Sequence, residues 1–230
     1  MFAKERDMTA AAAHWMKSSG LTVKAEFVTP SGVCDLVGLR FNENRVAHRL
    51  QLRQTKPIGS VFRAALLLDI PNVESGRGTT FAHLAKKYGA TIPVAELAAD
   101  TDRLIADRFI VRGPRGRLQK VNGWMPLHDR LVAVELKRTR IEEAMRQALN
   151  NLAFATESYV GLPADIAAKV GGRRHRWSRY LDTGIGLLSI ASDSCEVVIQ
   201  SRSPDVPADP ALRLYCVEKF WRTRSREHDS

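Results

Sequence analysis

The chain has 230 residues, of which 44% are hydrophobic and 26% charged, enough to bury a core in one large domain or two small ones. Its formal net charge of +10 favours a polyanionic partner, nucleic acid before a membrane surface. No stretch approaches the roughly 20 apolar residues of a transmembrane helix. The three cysteines, Cys34, Cys195 and Cys216, follow neither a disulfide nor a zinc spacing. This pattern predicts buried thiols in a reducing cytoplasm.

The first 41 residues predict a helix followed by two strands. Apolar residues recur at helical spacing from 8 to 18 and stop near Gly20. Residues 21–28 alternate between apolar and polar, and residues 33–39 are apolar almost throughout. Asp35 interrupts the second strand, although aspartate is poorly suited to strands and rarely buried unpaired. We therefore expect Asp35 either to make a hydrogen bond in the core or to act as a ligand.

Residues 42–124 are rich in lysine and arginine. Apolar periodicity predicts helices over 61–68, 80–88 and 93–107, followed by a basic hairpin with its turn at 112–117. Three helices and a hairpin are typical of a winged helix, whose third helix would enter the major groove and whose wing would contact the DNA backbone. The alternative is a helical insertion with a solvated charged surface. The candidate DNA-binding residues are Lys86, Lys87, Arg103, Arg112, Arg115, Arg117 and Lys120.

A short apolar run over 131–138 predicts a buried strand that ends in charge. Glu135 and Lys137 are two positions apart, so a strand would direct both side chains to one face. Ionised groups inside a core must be paired or bound to a metal. The alternative is a solvated strand end with a local ion pair. An amphipathic helix with Gln147 near its middle follows, and then a strand over 158–163.

The remaining elements complete an α/β pattern with a mixed sheet. Residues 165–170 predict a short helix, and residues 186–190 and 195–199 a hairpin. The cationic run 173–177 is either a solvated loop or a phosphate contact.

Asp35 and Glu135 lie on strands that could be neighbours, so their carboxylates could meet at one edge of the sheet. Two carboxylates close together invite a divalent cation, and Mg²⁺ binds through one or two carboxylates while keeping several waters. The nearby Lys137 could orient a water or stabilise charge on a phosphoryl group. Phosphodiester hydrolysis needs these groups.

Cys34-Asp35, Glu135-Leu136-Lys137, the helix with Gln147 and the strand at 159–163 together resemble the PD-(D/E)XK nuclease superfamily, with its restriction-endonuclease-like fold. The resemblance implies a mixed sheet flanked by helices. It also implies that Asp35 and Glu135 bind Mg²⁺ or Mn²⁺ with help from the Leu136 carbonyl. In the same way it implies that Lys137 is the catalytic lysine and that Gln147 supports the site.

The sequence departs from the family pattern in three ways. Cys34 stands where proline is common, and the first helix has no acid over residues 10–13. Glu26 is the candidate for that missing acid, with an exposed strand carboxylate as the alternative. Asp35 and Glu135 are 100 positions apart, which a domain inserted at a loop tip explains. The predicted domains are a discontinuous nuclease-like core at 1–41 and 125–230, and a winged-helix-like insertion at 42–124.

The expected function is metal-dependent endonucleolytic cleavage of DNA, with the insertion bound to the duplex. The alternative is a catalytically inactive nuclease-fold protein that binds DNA or regulates another process, since a fold does not fix a function. RNA ranks last as a substrate because the sequence does not resemble a single-strand stacking platform. A homodimer would suit cleavage of both strands.

Overall fold

The computed structural model describes residue 2 and residues 4–121, 126–202 and 209–227, with the main chain only for 222–227. The chain divides into two compact units, one of Met1–Phe41 and His128–Arg213, the other of Asn42–Leu127 and Leu214–Ser230. Within the described ranges, no helix is both long enough and apolar enough to cross a membrane.

The helices and strands alternate along the first unit, whereas helices dominate the second. The helices are α1 (Thr9–Ser18), α2 (Glu43–Gln51), α3 (Val61–Asp69), α4 (Phe81–Tyr88), α5 (Val94–Ala106), α6 (Ile141–Asn151), α7 (Ala164–Gly172), α8 (Ser178–Leu181) and α9 (Pro210–Glu227). The strands are β1 (Thr22–Thr29), β2 (Gly32–Phe41), β3 (Ile110–Arg112), β4 (Leu118–Lys120), β5 (His128–Leu136), β6 (Glu157–Pro163), β7 (Gly186–Ile190) and β8 (Cys195–Ile199).

The first unit contains a six-stranded mixed sheet in the order β1-β2-β5-β6-β7-β8. Strands β1, β2 and β5 are antiparallel neighbours, β5, β6 and β7 are parallel, and β8 pairs antiparallel with β7. The predicted α/β class with a mixed sheet flanked by helices is confirmed. Strand β5 is central, and its residues from Leu131 to Leu136 are all buried. A strand covered on both faces needs a nearly continuous apolar sequence, and Glu135 is the exception to it.

Two apolar clusters cover the faces of this sheet. Met8, Ala12 and Met16 are one helical turn apart and pack with Val134 and Leu136 on the α1 side. Residues of α6 and α7 form the other cluster with strands β6 and β7. Because side chains alternate along a strand, Glu135 faces away from Val134 and Leu136 and toward α6.

The second unit joins helices α3, α4 and α5 to the β3–β4 hairpin. Leu67, Leu84, Leu97 and Leu104 are each at most 1% exposed and form part of its core. The hairpin pairs Ile110–Arg112 with Leu118–Lys120, and Thr79 forms an additional antiparallel bridge to Leu118. The chain order is therefore helix, short extended segment, helix, helix and hairpin.

A buried ion pair fixes the part of α9 that belongs to the second unit. Arg49 Nη1 lies 2.5 Å from Glu218 Oε1, and the two side chains are 0% and 1% exposed. Glu218 Oε2 also accepts hydrogen bonds from Arg49 Nη2 and from the Ile58 N–H, each at 3.0 Å. The Arg49 guanidinium lies 4.2 Å from the ring centroid of Trp221 and 5.3 Å from that of Phe109.

The division into units differs from the predicted domains at the C-terminus. The prediction grouped residues 125–230 with the sheet, whereas Leu214–Ser230 cluster with the second unit. The predicted boundary between residues 124 and 125 lies outside the described residues. The Arg49–Glu218 pair is the physical reason for the difference, since it ties α9 to residues that follow Asn42.

Candidate active site

Glu135 is a buried carboxylate on the central strand β5. Its side chain is 1% exposed, and Oε1 accepts a hydrogen bond of 2.7 Å from Asn151 Nδ2. Oε2 is buried and has no N–H or O–H donor among the described residues, and the Cys34 thiol is the remaining, weak hydrogen-bonding partner of this carboxyl group. Burial raises the pKa of Glu135 to about 6; the Asn151 hydrogen bond opposes this shift, and the negative charge of Asp35 adds to it. Glu135 is therefore poised to accept a proton or a cation.

A small cavity of about 90 Å³ lies between Glu135 and α6. Cys34, Gln147 and Asn151 also line this space, which we call the Glu135 cavity. Gln147 Oε1 is buried there without a partner among the described residues, as is Glu135 Oε2. Buried oxygens without donors are rare, and two beside one cavity suit a water or a cation as their partner.

Asp35 lines a different cavity, of about 360 Å³, together with Glu5, Glu26 and Leu136. We call it the Asp35 cavity. Asp35 Oδ2 accepts a 2.7 Å hydrogen bond from the Leu136 N–H, so this side chain caps the end of the β2–β5 ladder. The predicted alternatives for Asp35 were a core hydrogen bond and a ligand role; the hydrogen bond is present, at a half-buried position, and the ligand role stays a prediction. Asp35 thus lines the Asp35 cavity and Glu135 lines the Glu135 cavity, although the negative charge of Asp35 still raises the pKa of Glu135.

An irregularity in the β1–β2 ladder accompanies this arrangement. The ladder pairs Ala25 with Leu36 and Phe27 with Cys34, and Glu26 between them has a left-handed φ of 47°. Such a backbone is uncommon for glutamate and is frequently found at functional sites. Glu26, the predicted substitute acid, lines the Asp35 cavity from this strained position and is exposed.

Lys137 follows directly after β5 and is 6% exposed. Its Nζ lies 3.8 Å from Glu5 Oε2, and its N–H donates to the Gly161 carbonyl at 3.1 Å. The strand pattern predicted that Lys137 and Glu135 share one face. The Lys137 ammonium lies beside Glu5 of the Asp35 cavity. Its positive charge still lowers the pKa of Glu135 slightly.

Two residues of this region were missed from the sequence. Glu5 opens a 3₁₀ turn (Glu5–Met8) immediately before α1, whereas an acid was sought within residues 10–13. Asn151 lies four residues after Gln147, so helical spacing places both on one face of α6. That spacing was visible in the sequence, and it would have predicted the hydrogen bond donor to Glu135.

The predicted DNA-binding residues differ in whether their charged groups are exposed and whether they form ion pairs with carboxylates. Arg103 Nε lies 3.0 Å from Asp107 Oδ2, Arg112 Nη2 lies 3.3 Å from Asp102 Oδ1, and Lys87 Nζ lies 2.5 Å from Asp69 Oδ2. Lys120 is only 8% exposed and donates to the Leu68 carbonyl at 2.9 Å, and burial lowers its pKa. Lys86, Arg115 and Arg117 are exposed and form no ion pair with a described residue. Lys120 is thus not presented to a macromolecular partner.

The donor atoms fit a hard divalent cation in chemical type. Glu135 Oε2 is an unpartnered carboxylate oxygen, and carboxylate and carbonyl oxygens are the ligands that Mg²⁺ prefers. Among the described residues, however, no three His, Cys, Asp or Glu side chains are grouped to hold one metal ion. A site here would therefore use one or two carboxylates, with water or phosphate as the other ligands.

Comparisons with protein-family models, curated proteins and solved structures find no match to this chain.

Proposed function

We propose that the protein is a Mg²⁺- or Mn²⁺-dependent nuclease of the PD-(D/E)XK type that hydrolyses phosphodiester bonds in DNA. The single observation that carries this proposal is Glu135, a carboxylate on the central strand with a buried, unpartnered oxygen, followed two positions later by Lys137. A buried ionisable group with a perturbed pKa is a candidate functional residue, and the adjacent lysine suits an anionic substrate.

The arrangement of the first unit supports the proposal. The resemblance implies a mixed sheet flanked by helices, and strands β1, β2, β5 and β6 with α1 and α6 match that description. Asp35 near the start of β2 and Glu135 near the end of β5 belong to antiparallel neighbours, so they lie at the same edge of the sheet.

Asp35, Glu135 and the Leu136 carbonyl would hold the ion, which supplies Lewis-acid polarisation of a phosphoryl oxygen and a lowered pKa of a bound water. The protein contributes position and charge. The Lys137 ammonium stabilises the negative charge that builds up on the phosphoryl oxygens. Asn151 orients Glu135 through their 2.7 Å hydrogen bond, and Glu5 holds Lys137 at the Asp35 cavity.

The second unit supports a winged-helix proposal for DNA binding. Helices α3, α4 and α5 precede the β3–β4 hairpin, and the bridge between Thr79 and Leu118 joins the segment before α4 to that hairpin. Three helices, a short extended segment and a hairpin suit this architecture, and the net charge of +10 suits a duplex.

A titration with Mn²⁺ tests whether Asp35 and Glu135 serve one site. Asp35→Asn and Glu135→Gln should each abolish the same binding event, followed by calorimetry or by the electron paramagnetic resonance of free Mn²⁺. Glu196→Gln, which alters an exposed carboxylate on β8 of the same sheet, is the matched control. Two independent weak events, each lost in only one variant, would contradict a shared metal site.

A second candidate function is DNA binding without cleavage on a nuclease-like fold. The observation that favours it is that Asp35 and Glu135 line different cavities. Such a protein would retard duplex DNA with a steep salt dependence and would leave it intact with either metal. Metal-dependent nicking by the wild-type protein that Glu135→Gln abolishes would contradict this alternative.

A further inference from the structure

Helix α5, the third helix of the proposed winged helix, presents an acidic surface. It carries Glu96, Asp100 and Asp102 but only one basic residue, Arg103. Glu96 and Asp102 are exposed, and Asp100 is bound to Arg63 by an ion pair of 2.5 Å. A helix that enters the major groove passes between two rows of phosphates, and exposed carboxylates there are repelled by both.

Two basic residues at this surface, Arg103 and Arg112, are already paired. Arg103 is bound to Asp107, the residue that follows α5, and Arg112 of the hairpin is bound to Asp102 of α5. A phosphate would have to displace these carboxylates before it could bind either guanidinium. The face formed by α5 and β3 is thus a poor candidate for contact with DNA.

A second surface of the same unit has the opposite character. A concavity of about 450 Å³ is lined by α4, by the segment before it and by Arg117, which directly precedes β4; we call it the basic groove. The groove is lined by ionisable and hydroxyl side chains, including Asp69, Arg77, Thr80, His83, Lys87 and Arg117. Lys87 and the Tyr88 hydroxyl both bind Asp69, which leaves the two arginines without a carboxylate partner among the described residues.

The backbone holds the two arginines in place. The Thr79 N–H donates to the Leu118 carbonyl at 3.0 Å, and the Leu118 N–H donates to the Thr79 carbonyl at 2.7 Å. A Cβ added to Gly78 would lie 2.8 Å from Arg117 Cβ, so a glycine is required for this close approach. Gln119 Nε2 adds a 2.7 Å hydrogen bond to the Arg77 carbonyl. Arg77 and Arg117 are thus anchored to neighbouring backbone while their side chains remain exposed.

We propose that the basic groove, and not helix α5, binds the phosphate backbone of duplex DNA, with Arg77 and Arg117 as its principal contacts. This inference rests on the proposed DNA substrate of the protein. It assigns to Arg77 a role that the sequence did not suggest. On this proposal Arg103 and Arg112 form ion pairs with Asp107 and Asp102 and do not contact DNA.

Fluorescence anisotropy with a labelled duplex, in EDTA so that no cleavage occurs, tests the proposal over a range of salt concentrations. Each lost phosphate contact lowers the slope of log K against log salt by about 1, so Arg77→Gln/Arg117→Gln should lower it by about 2 and weaken binding at least about tenfold. The matched control, Arg103→Gln/Arg112→Gln, removes the same net charge from the same unit and should keep the wild-type slope. Arg77→Lys/Arg117→Lys should retain the slope, because a lysine neutralises a phosphate equally well.

Three results would contradict DNA binding by the basic groove. An unchanged slope in the groove variant, an equal loss in both double variants, or wild-type protein that does not bind the duplex would each overturn the proposal. Parallel nicking assays separate it from the nuclease function. If the wild type cleaves DNA and the groove variants bind DNA as the wild type does, the groove proposal is wrong and the nuclease proposal stands. If the wild type binds DNA without cleaving it and the groove variant loses this binding, the groove proposal is supported and the nuclease proposal is contradicted.

Discussion

The buried Glu135 carboxyl gives a prediction about stability against pH. Its pKa is raised from the ordinary value of 4.5 to about 6, chiefly by burial. The folded protein therefore holds this proton more tightly than the unfolded chain. The neutral form contributes stability that is fully present below pH 4.5 and is lost as the pH rises through about 6. A shift of this size corresponds to about 2 kcal/mol.

Glu135→Gln cannot ionise and keeps an oxygen that can accept from Asn151. The free energy of unfolding of this variant, minus that of the wild type, should therefore rise by about 2 kcal/mol between pH 4 and pH 7. Urea titrations in EDTA, followed by circular dichroism, measure this difference. Glu196→Gln is the control, since it shows how the loss of one exposed carboxylate changes the dependence of the free energy of unfolding on pH.

A difference that stays constant across this pH range would refute the reasoning, since it would mean that Glu135 is not desolvated in the folded protein. Millimolar Mg²⁺ extends the test. If Glu135 holds the ion, Mg²⁺ should stabilise the wild type above pH 6 and leave the variant unchanged, because a ligand stabilises only the state that binds it.

Three further predictions concern stability and reactivity. Glu218→Ala leaves the Arg49 guanidinium buried without its carboxylate and should cost about 3–5 kcal/mol in urea unfolding, and a loss below about 1 kcal/mol would contradict the buried pair. Burial, and to a smaller extent the negative charge of Glu135, raises the pKa of the Cys34 thiol well above its ordinary value. Iodoacetamide should therefore alkylate Cys34 roughly 100-fold more slowly than a free thiol. Rapid labelling of Cys34 in the folded protein would contradict this prediction. Glu26→Gly should be more stable than Glu26→Ala by about 1 kcal/mol because glycine tolerates the left-handed backbone, and equal melting curves would show that no strain exists there.

Sequence periodicity was sufficient to predict a mixed α/β sheet and the buried strand that carries Glu135, but it left open whether this carboxylate is buried or solvated. Strand β5 is covered on both faces, so its apolar run is long and a single carboxylate within it is conspicuous. Helical spacing in α6 likewise predicted which side of that helix packs. Such patterns depend on the immediate neighbours of a residue, and for this reason a single sequence reveals them.

The placement of the charged groups could not be predicted in the same way. Asp35 and Glu135 line different cavities, with a left-handed Glu26 beside Asp35, and local alternation does not describe such a backbone. Glu5 meets Lys137 across more than 130 positions of sequence, a distance that no local pattern encodes.

The basic residues of the second unit show the same limit. Composition predicted seven cationic contacts but did not reveal that Lys120 is buried or that Arg103 and Arg112 are paired with carboxylates. Arg77 was overlooked because it lies in a glycine-containing loop, which the bridge between Thr79 and Leu118 and the Gln119 hydrogen bond bring near the hairpin.

The measurement that tests the central claim most directly is the initial rate of nicking of supercoiled plasmid with Mg²⁺ or Mn²⁺, against EDTA, for the wild type and Lys137→Met. Lys169→Met, which alters an exposed lysine of α7, is the matched control. We predict metal-dependent nicking that falls about 100-fold or more in Lys137→Met and is unchanged in the control. Nicking that is absent with both metals, or equally fast in Lys137→Met, would contradict the nuclease function.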